Sequence, residues 1–265
     1  MSVNKKVGAL SFLFRFVFGF TWLALWSTVC ISLMILALPF RTLRIRIGNF
    51  CGKMIGPFIT RIVGTKLINP DQKKLKGLAP AIFVTNHSSA LDIFICMGIC
   101  PYGGCGVGKR EVARIPFFGW AYWLSGHLLI DRGNREKAVK SMNKLSTFVK
   151  AKKLSIWIWP EGTRSMDGKL IPFKKGFVHL ALATSLPIVP VVLHGAGERW
   201  PAKTMQFYPG DVRVEVLEPI QTNSWTKETI NEHVEEVKGL MAKACLLYTS
   251  DAADEGLGVD LGGRR

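Results

Sequence analysis

The chain has 265 residues, enough for one sizeable core plus an appendage. Lys and Arg number 35 against 19 Asp and Glu, a formal charge of +16, and an excess of that size points to nucleic acid, anionic lipid or a phosphorylated substrate as partner. The six cysteines form no CxxC and no His/Cys ligand spacing, which reads as reduced thiols and excludes a disulfide framework.

In chain order, the first acidic residue is Asp71, so everything before it is cationic and apolar together. Residues 16–40, between Arg15 and Arg41, are 25 uncharged positions. At ~1.5 Å per residue they suffice to cross a ~30 Å hydrocarbon core, which predicts a membrane helix. A cleaved signal peptide fits less well, because its apolar run is ~7 to 15 residues long and this one ends in Pro39-Phe40-Arg41. A re-entrant or interfacial helix pair is the alternative, since Arg15, Gly19 and Pro39 interrupt the stretch and the amphipathic "LRIRIGNFCGKMIGPFITRIVG" follows it. Arg41, Arg44, Arg46 and Lys53 after the span, against Lys5, Lys6 and Arg15 before it, put the remainder on the cytoplasmic side by the positive-inside rule.

Beyond the apolar region, strand and helix patterns alternate. "AIFVTN" reads as a strand, "SSALDIFICMGIC" as a helix, "HLLIDR" as extended, and "NREKAVKSMNKLSTFVKAKK" as an amphipathic helix capped by Asn134. "LSIWIW" is a strand stopped by Pro160, "GFVHLALATS" a helix and "IVPVVLHG" a strand. "MQFYPGDVRVEVLEPI" predicts a hairpin about Pro209-Gly210-Asp211, and "SWTKETINEHVEEVKGLMAKA" a closing helix. The expectation is a single mixed-sheet α/β domain over residues 67–244, preceded by membrane-anchoring helices over 1–66. From Cys245 on, "CLLYTSDAADEGLGVDLGGRR" loses hydrophobic periodicity and looks like a translated library adaptor, so residues 245–265 are expected to be foreign to the fold and the natural C-terminus to be missing.

Three polar constellations sit at predicted strand ends, where α/β sites collect. In "NHSSALD", five residues of helix would turn His87 and Asp92 ~140° apart, so His87 must stand in the turn before the helix and Asp92 in its first turns. There Asp92 would hold one imidazole nitrogen and leave the other free as a base. The competing reading is a helix cap with a surface histidine, and a His-x-x-x-x-Asp spacing arises by chance in roughly a quarter of such chains. "PEGTRS" supplies Glu161, Gly162, Thr163 and Arg164, with a tight turn and a planar guanidinium suited to phosphate. "GVGKREVARIPFFGW" adds Lys109 and Arg114 before an aromatic patch.

With "LIDRG" at 129–133, "PFKKG" and "IVPVVLHG", these blocks resemble the glycerolipid acyltransferase family, of the bacterial PlsC 1-acyl-sn-glycerol-3-phosphate acyltransferase type, over residues 78–218. The resemblance implies that His87 is a general base oriented by Asp92, and that the motif around Arg164 binds the acceptor phosphate. It implies lysophosphatidic acid as acceptor, an acyl carrier protein or coenzyme A thioester as co-substrate, no other cofactor, no metal, no nucleic acid, and a place among the lipids of a bacterial inner membrane. Val112 stands where many relatives carry Leu, a mild departure. Another lysophospholipid or glycerol 3-phosphate remains an alternative acceptor.

The chemistry of the residues fits that reading. A glycerol hydroxyl needs a base, and direct attack on a thioester requires no enzyme nucleophile; the chain has no G-x-S-x-G. Amides in the turn after His87 are expected to serve the oxyanion. Phosphate falls to Arg164 and Lys109, with Arg114 a weaker candidate, while Glu161 is assigned to holding Arg164 or a glycerol hydroxyl. Phe117, Phe118, Trp120 and Trp123 are candidates for an acyl groove. Two other classes compete: "GGCGVGK" fits the start of a phosphate-binding loop but Arg110 replaces the hydroxyl that would hold Mg²⁺, and a non-catalytic anionic-lipid binder would use the basic face without His87 and Asp92.

Overall fold

The computed structural model describes residues 6–258, without side-chain detail for Arg135 and for residues 248–258. The apolar N-terminus is helix α1, Ala9–Leu36, followed after a turn by α2, Arg41–Val63. α1 starts earlier than the charge-free run because Arg15 does not break it: its Nη1 donates to Ile62 O at 2.5 Å, a carbonyl of the last turn of α2. Trp22 stacks on Phe58 at 4.3 Å and donates to Met54 O, while Gly19 meets Ile59, so the two helices run antiparallel. α1 is the one described helix long and apolar enough to cross a membrane, and Leu10, Leu13, Phe14, Val17 and Phe18 stand exposed along it.

α2 belongs to the body as much as to the anchor. Gly52 and Gly56 press it against α4, Leu91–Ile99, where a Cβ on Gly56 would run into Phe94 O and Gly98 N. Arg41 donates twice to Gly126 O, Arg44 to Leu124 O and Lys53 to Gly98 O at 3.3 Å. Three of the four cations that follow the span therefore tie the helix to carbonyls of the domain.

The rest forms one seven-stranded sheet. Its strands are β1 (Thr65–Ile68), β2 (Ile82–Thr85), β3 (Gly104–Lys109), β4 (Leu128–Ile130), β5 (Ser155–Ile158), β6 (Ile188–His194) and β7 (Gly210–Val216), in spatial order β1-β7-β6-β2-β5-β3-β4. All pairs are parallel except β6 with β7, so the sheet is mixed, as predicted. Between the strands lie α3 (Gln72–Gly77), α5 (Phe118–Leu124), α6 (Arg135–Lys152), α7 (Gly176–Thr184) and α8 (Ala196–Arg199), with α9 (Ile230–Gly258) last. Asn134 caps α6 through Lys137 N at 2.9 Å.

Alternation along the strands divides the core. Phe83, Trp157, Val189 and Val191 pack toward α1, α2 and α4, while Ile82, Val84, Ile156 and Val192 pack toward α6, α7 and α9. The predicted hairpin about Pro209-Gly210-Asp211 does not form. β7 pairs with β6 and β1, and residues 204–209 lie outside any strand, because Phe207 is buried between Phe12 and Trp200 instead of entering a ladder. β1 begins two residues before the expected boundary at 66/67, and α9 continues past residue 244, with Ala244 buried, Cys245 half-buried and Leu246 and Leu247 exposed. Residues 259–265 of the expected foreign tail lie outside the described residues.

Candidate active site

β2, β5, β3 and β4 are adjacent and parallel, so the loops that follow them share the carboxyl edge of the sheet, ~4.8 Å apart per strand. His87 follows β2, residues 161–165 follow β5, Lys109 ends β3 and Arg132 follows β4. Asn86 fixes the turn before His87: its amide donates to Leu193 O at 3.0 Å and accepts from Leu193 N at 2.8 Å.

His87 stands ahead of α4, as its spacing predicts, and its Nδ1 lies 2.9 Å from Asp92 Oδ2. The carboxylate is 1% exposed against 15% for the imidazole. The same oxygen accepts the N–H of Ser88 at 2.7 Å and of Ser89 at 2.8 Å. Asp92 thus does what both readings asked: it satisfies the amides at the helix start and holds the ring. A carboxylate on Nδ1 places the ring proton there and leaves Nε2 as an acceptor. The cap has a cost for the expected oxyanion site, because the amides of His87, Ser88 and Ser89 all have carboxylate partners.

Of the two roles expected for Glu161, holding Arg164 or a glycerol hydroxyl, the first is not formed among the described residues; its Oε1 accepts the His87 N–H at 2.7 Å and its Oε2 the Ile171 N–H at 3.2 Å. Burial raises its pKa to about 7, against the lowering effect of those two amides, and the charge of Asp92 raises it further. Ser165 N donates to His87 O at 2.8 Å, so the loop after β5 grips the His87 peptide on both sides. Gly162 has φ +73°, which favours glycine, and its carbonyl accepts from Arg132 of "LIDRG", whose role no local spacing indicates.

The cations fall into two groups. Arg164 is half-buried and has no hydrogen-bond or ion-pair partner among the described residues. Lys109 is exposed and paired with Glu111 at 3.4 Å, and Arg114 is exposed on the turn that follows. Thr163 is exposed beside Arg164. No group of three or more His, Cys, Asp or Glu among the described residues is placed to hold a metal ion.

"GCGVGK" is strand β3 and not a phosphate loop. Its alternate residues Gly104, Gly106 and Gly108 share one face, and the missing side chains open an apolar cavity of about 120 Å³ between β3, α2 and α4. Tyr122 lies over two of these glycines, its Oη 2.7 Å from where a Cβ on Gly106 would be. The cavity reaches Trp159, whose ring is 5.4 Å from that of His87. Of the four aromatics proposed for the groove only Phe118 lines it; Trp120 and Trp123 are exposed, and Phe117 packs edge-on against Phe20 of α1.

A carboxylate-held imidazole with an open Nε2, next to an apolar cavity, suits acyl transfer to a hydroxyl, and acyltransferase is the class that the comparisons return. A family model described as Acyltransferase matches residues 67–194. A 1-acyl-sn-glycerol-3-phosphate acyltransferase of Limnanthes douglasii is 41% identical over 205 residues, covering 77% of this chain and 72% of the relative. Its namesake in Escherichia coli is 37% identical over 174 residues, 66% of this chain and 70% of the relative. The chain belongs to the family of the 1-acyl-sn-glycerol-3-phosphate acyltransferases. A crystal structure of the 1-acyl-sn-glycerophosphate acyltransferase PlsC from Thermotoga maritima shares the fold, with a TM-score of 0.68 at 22% identity over 91% of this chain and 95% of that one.

Proposed function

We propose that the protein transfers a fatty acyl group from a thioester to the sn-2 hydroxyl of 1-acyl-glycerol-3-phosphate, giving phosphatidic acid. The observation that carries this reading is the His87–Asp92 pair, 2.9 Å apart, with the His87 peptide held by the loop that bears Arg164, which has no ion-pair partner among the described residues. His87 Nε2 takes the hydroxyl proton as the oxygen attacks the thioester carbon, and Asp92 stabilises the imidazolium. Collapse of the tetrahedral intermediate breaks the C–S bond, and His87 returns the proton to the departing thiolate. Arg164 binds the acceptor phosphate, with Lys109 and Arg114 at the outer rim, and Glu161 acts through the His87 backbone.

The acyl chain enters the cavity along β3, which opens toward α2 on the side of the sheet that carries α1. With its exposed apolar face, α1 seats the domain on a membrane, on the cytoplasmic side, which in a bacterium is the inner membrane. Membranes containing the protein, given labelled acyl donor and a panel of lysophospholipids and glycerol 3-phosphate, test the reaction. Labelled phosphatidic acid from lysophosphatidic acid, at the highest kcat/KM of the panel, is the expected result. A preference for glycerol 3-phosphate or for a different headgroup would reassign the acceptor.

A further inference from the structure

The cavity along β3 is apolar, yet three polar groups on its wall have no hydrogen-bond partner among the described residues. One is Ser27 Oγ on α1, fully buried. Other hydroxyls of that helix bond back to it, Thr28 to Ala24 O at 2.8 Å and Ser32 to Thr28 O at 3.1 Å, and Ser27 does not. The second is Tyr122 Oη, 2.7 Å and 3.2 Å from where Cβ atoms on Gly106 and Gly108 would be, and so over the bare face of the strand. The third is on His127, whose ring lies 4.7 Å from that of Tyr122.

His127 presents a donor. Its Nδ1 accepts the Gly106 N–H at 3.3 Å, which puts the ring proton on Nε2, and Nε2 stands 3.5 Å from the Cβ position of Gly48, another residue of the cavity wall. Burial, and after it the charge of Arg41, push the pKa of the ring down to about 4, so it is neutral and keeps one proton near neutral pH. A chain of methylenes filling the cavity would take these groups out of water and give them nothing to bond. A hydroxyl accepts from the imidazole N–H and can exchange a hydrogen bond with the phenol.

Depth along the strand decides where that hydroxyl falls. Gly106 lies three residues before Lys109, the last of β3, so roughly 10 Å back from the carboxyl edge where His87 stands. A thioester at His87 therefore brings the middle of its acyl chain, and not its first carbons, to Tyr122 and His127. We propose that these two residues select acyl chains that carry a hydroxyl group in mid-chain. The proposal rests on the acyltransferase reading and adds the chemical class of the acyl group.

The test gives the full-length protein in membranes lysophosphatidic acid and three acyl groups of equal length: palmitate, palmitate hydroxylated at mid-chain and β-hydroxypalmitate, each as the coenzyme A and the carrier-protein thioester. kcat/KM for the mid-chain hydroxyl should exceed that for palmitate at least tenfold, with no such preference for β-hydroxypalmitate. Tyr122→Phe, which keeps the ring, and His127→Phe should each lower that ratio at least threefold, whereas a packing role would move all three acyl groups alike. Tyr122→Phe carries the test alone if His127→Phe does not fold. Palmitate used as well as the mid-chain hydroxyl or better, which would mean that water satisfies the polar groups, would overturn the proposal. So would a preference for β-hydroxypalmitate, or a ratio that Tyr122→Phe leaves unchanged, and all of these leave the acyltransferase reading standing. Transfer of none of the three by the wild type would overturn both.

Discussion

Glu161 Oε1 accepts the backbone N–H of His87 at 2.7 Å, across a gap of 74 residues in the chain. The imidazole is thus held twice: at its ring by Asp92, and at its main chain by a carboxylate from the neighbouring strand. Glu161→Gln can keep only one of its two amide contacts as acceptor, because a carboxamide has a single oxygen. The expected result is a kcat lower by ~10-fold or more with acceptor KM little changed. A rise in KM without loss of kcat would return Glu161 to substrate binding.

The same residue makes stability depend on pH. Its folded pKa of about 7 lies above the ~4.3 of an unfolded glutamate, so the folded state binds the extra proton between these values. That contribution is fully present below ~4.3 and is lost as pH rises through about 7, on the order of 3–4 kcal/mol in all. Thermal unfolding of wild type and Glu161→Gln at pH 5 and pH 8 measures it. The wild type should lose ground relative to the variant at the higher pH, and parallel behaviour at both values would show that the carboxyl is not shifted.

His87→Ala should leave folding intact and lower kcat by roughly 10² to 10⁴, the usual share of a positioned general base. Asp92→Asn should also slow turnover, since the amide selects the wrong tautomer and does not stabilise imidazolium. Because the two act as one unit, the double variant should be little worse than the more impaired single one. Losses that multiply would mean two independent residues.

Arg164→Ala should raise KM for lysophosphatidic acid and leave KM for the acyl donor near its wild-type value. Arg164→Lys should recover little, because an ammonium does not reproduce the planar fork. Equal losses with an acceptor that lacks the phosphate would mark the arginine as structural.

Gly106→Ala puts a methyl 2.7 Å from Tyr122 Oη, at the wall of the cavity beside β3. If acyl chains enter there, the variant should shift preference toward shorter donors, read as the ratio of kcat/KM for long and short chains. An unchanged ratio in a folded variant would send the chain elsewhere.

Several of these residues were legible from spacing alone. The five-residue step from His87 to Asp92 forces the turn-then-helix geometry that the structure shows, and Asn134 announces the start of α6, because capping and helical rotation act within a few residues. The sequence also determined the alternation that makes an α/β sheet, since apolar period follows from backbone geometry. Three matters were left to tertiary structure. Glu161 reaches His87 only because β2 and β5 pair side by side, and no local pattern encodes which strands become neighbours. Glycines that looked like a phosphate loop became one bare face of β3, because their meaning depends on Tyr122 and α2 packing over them. The apolar alternation of "MQFYP" served the burial of Phe207 against Phe12 instead of a hairpin, since β7 is already paired with β1 on one side and β6 on the other.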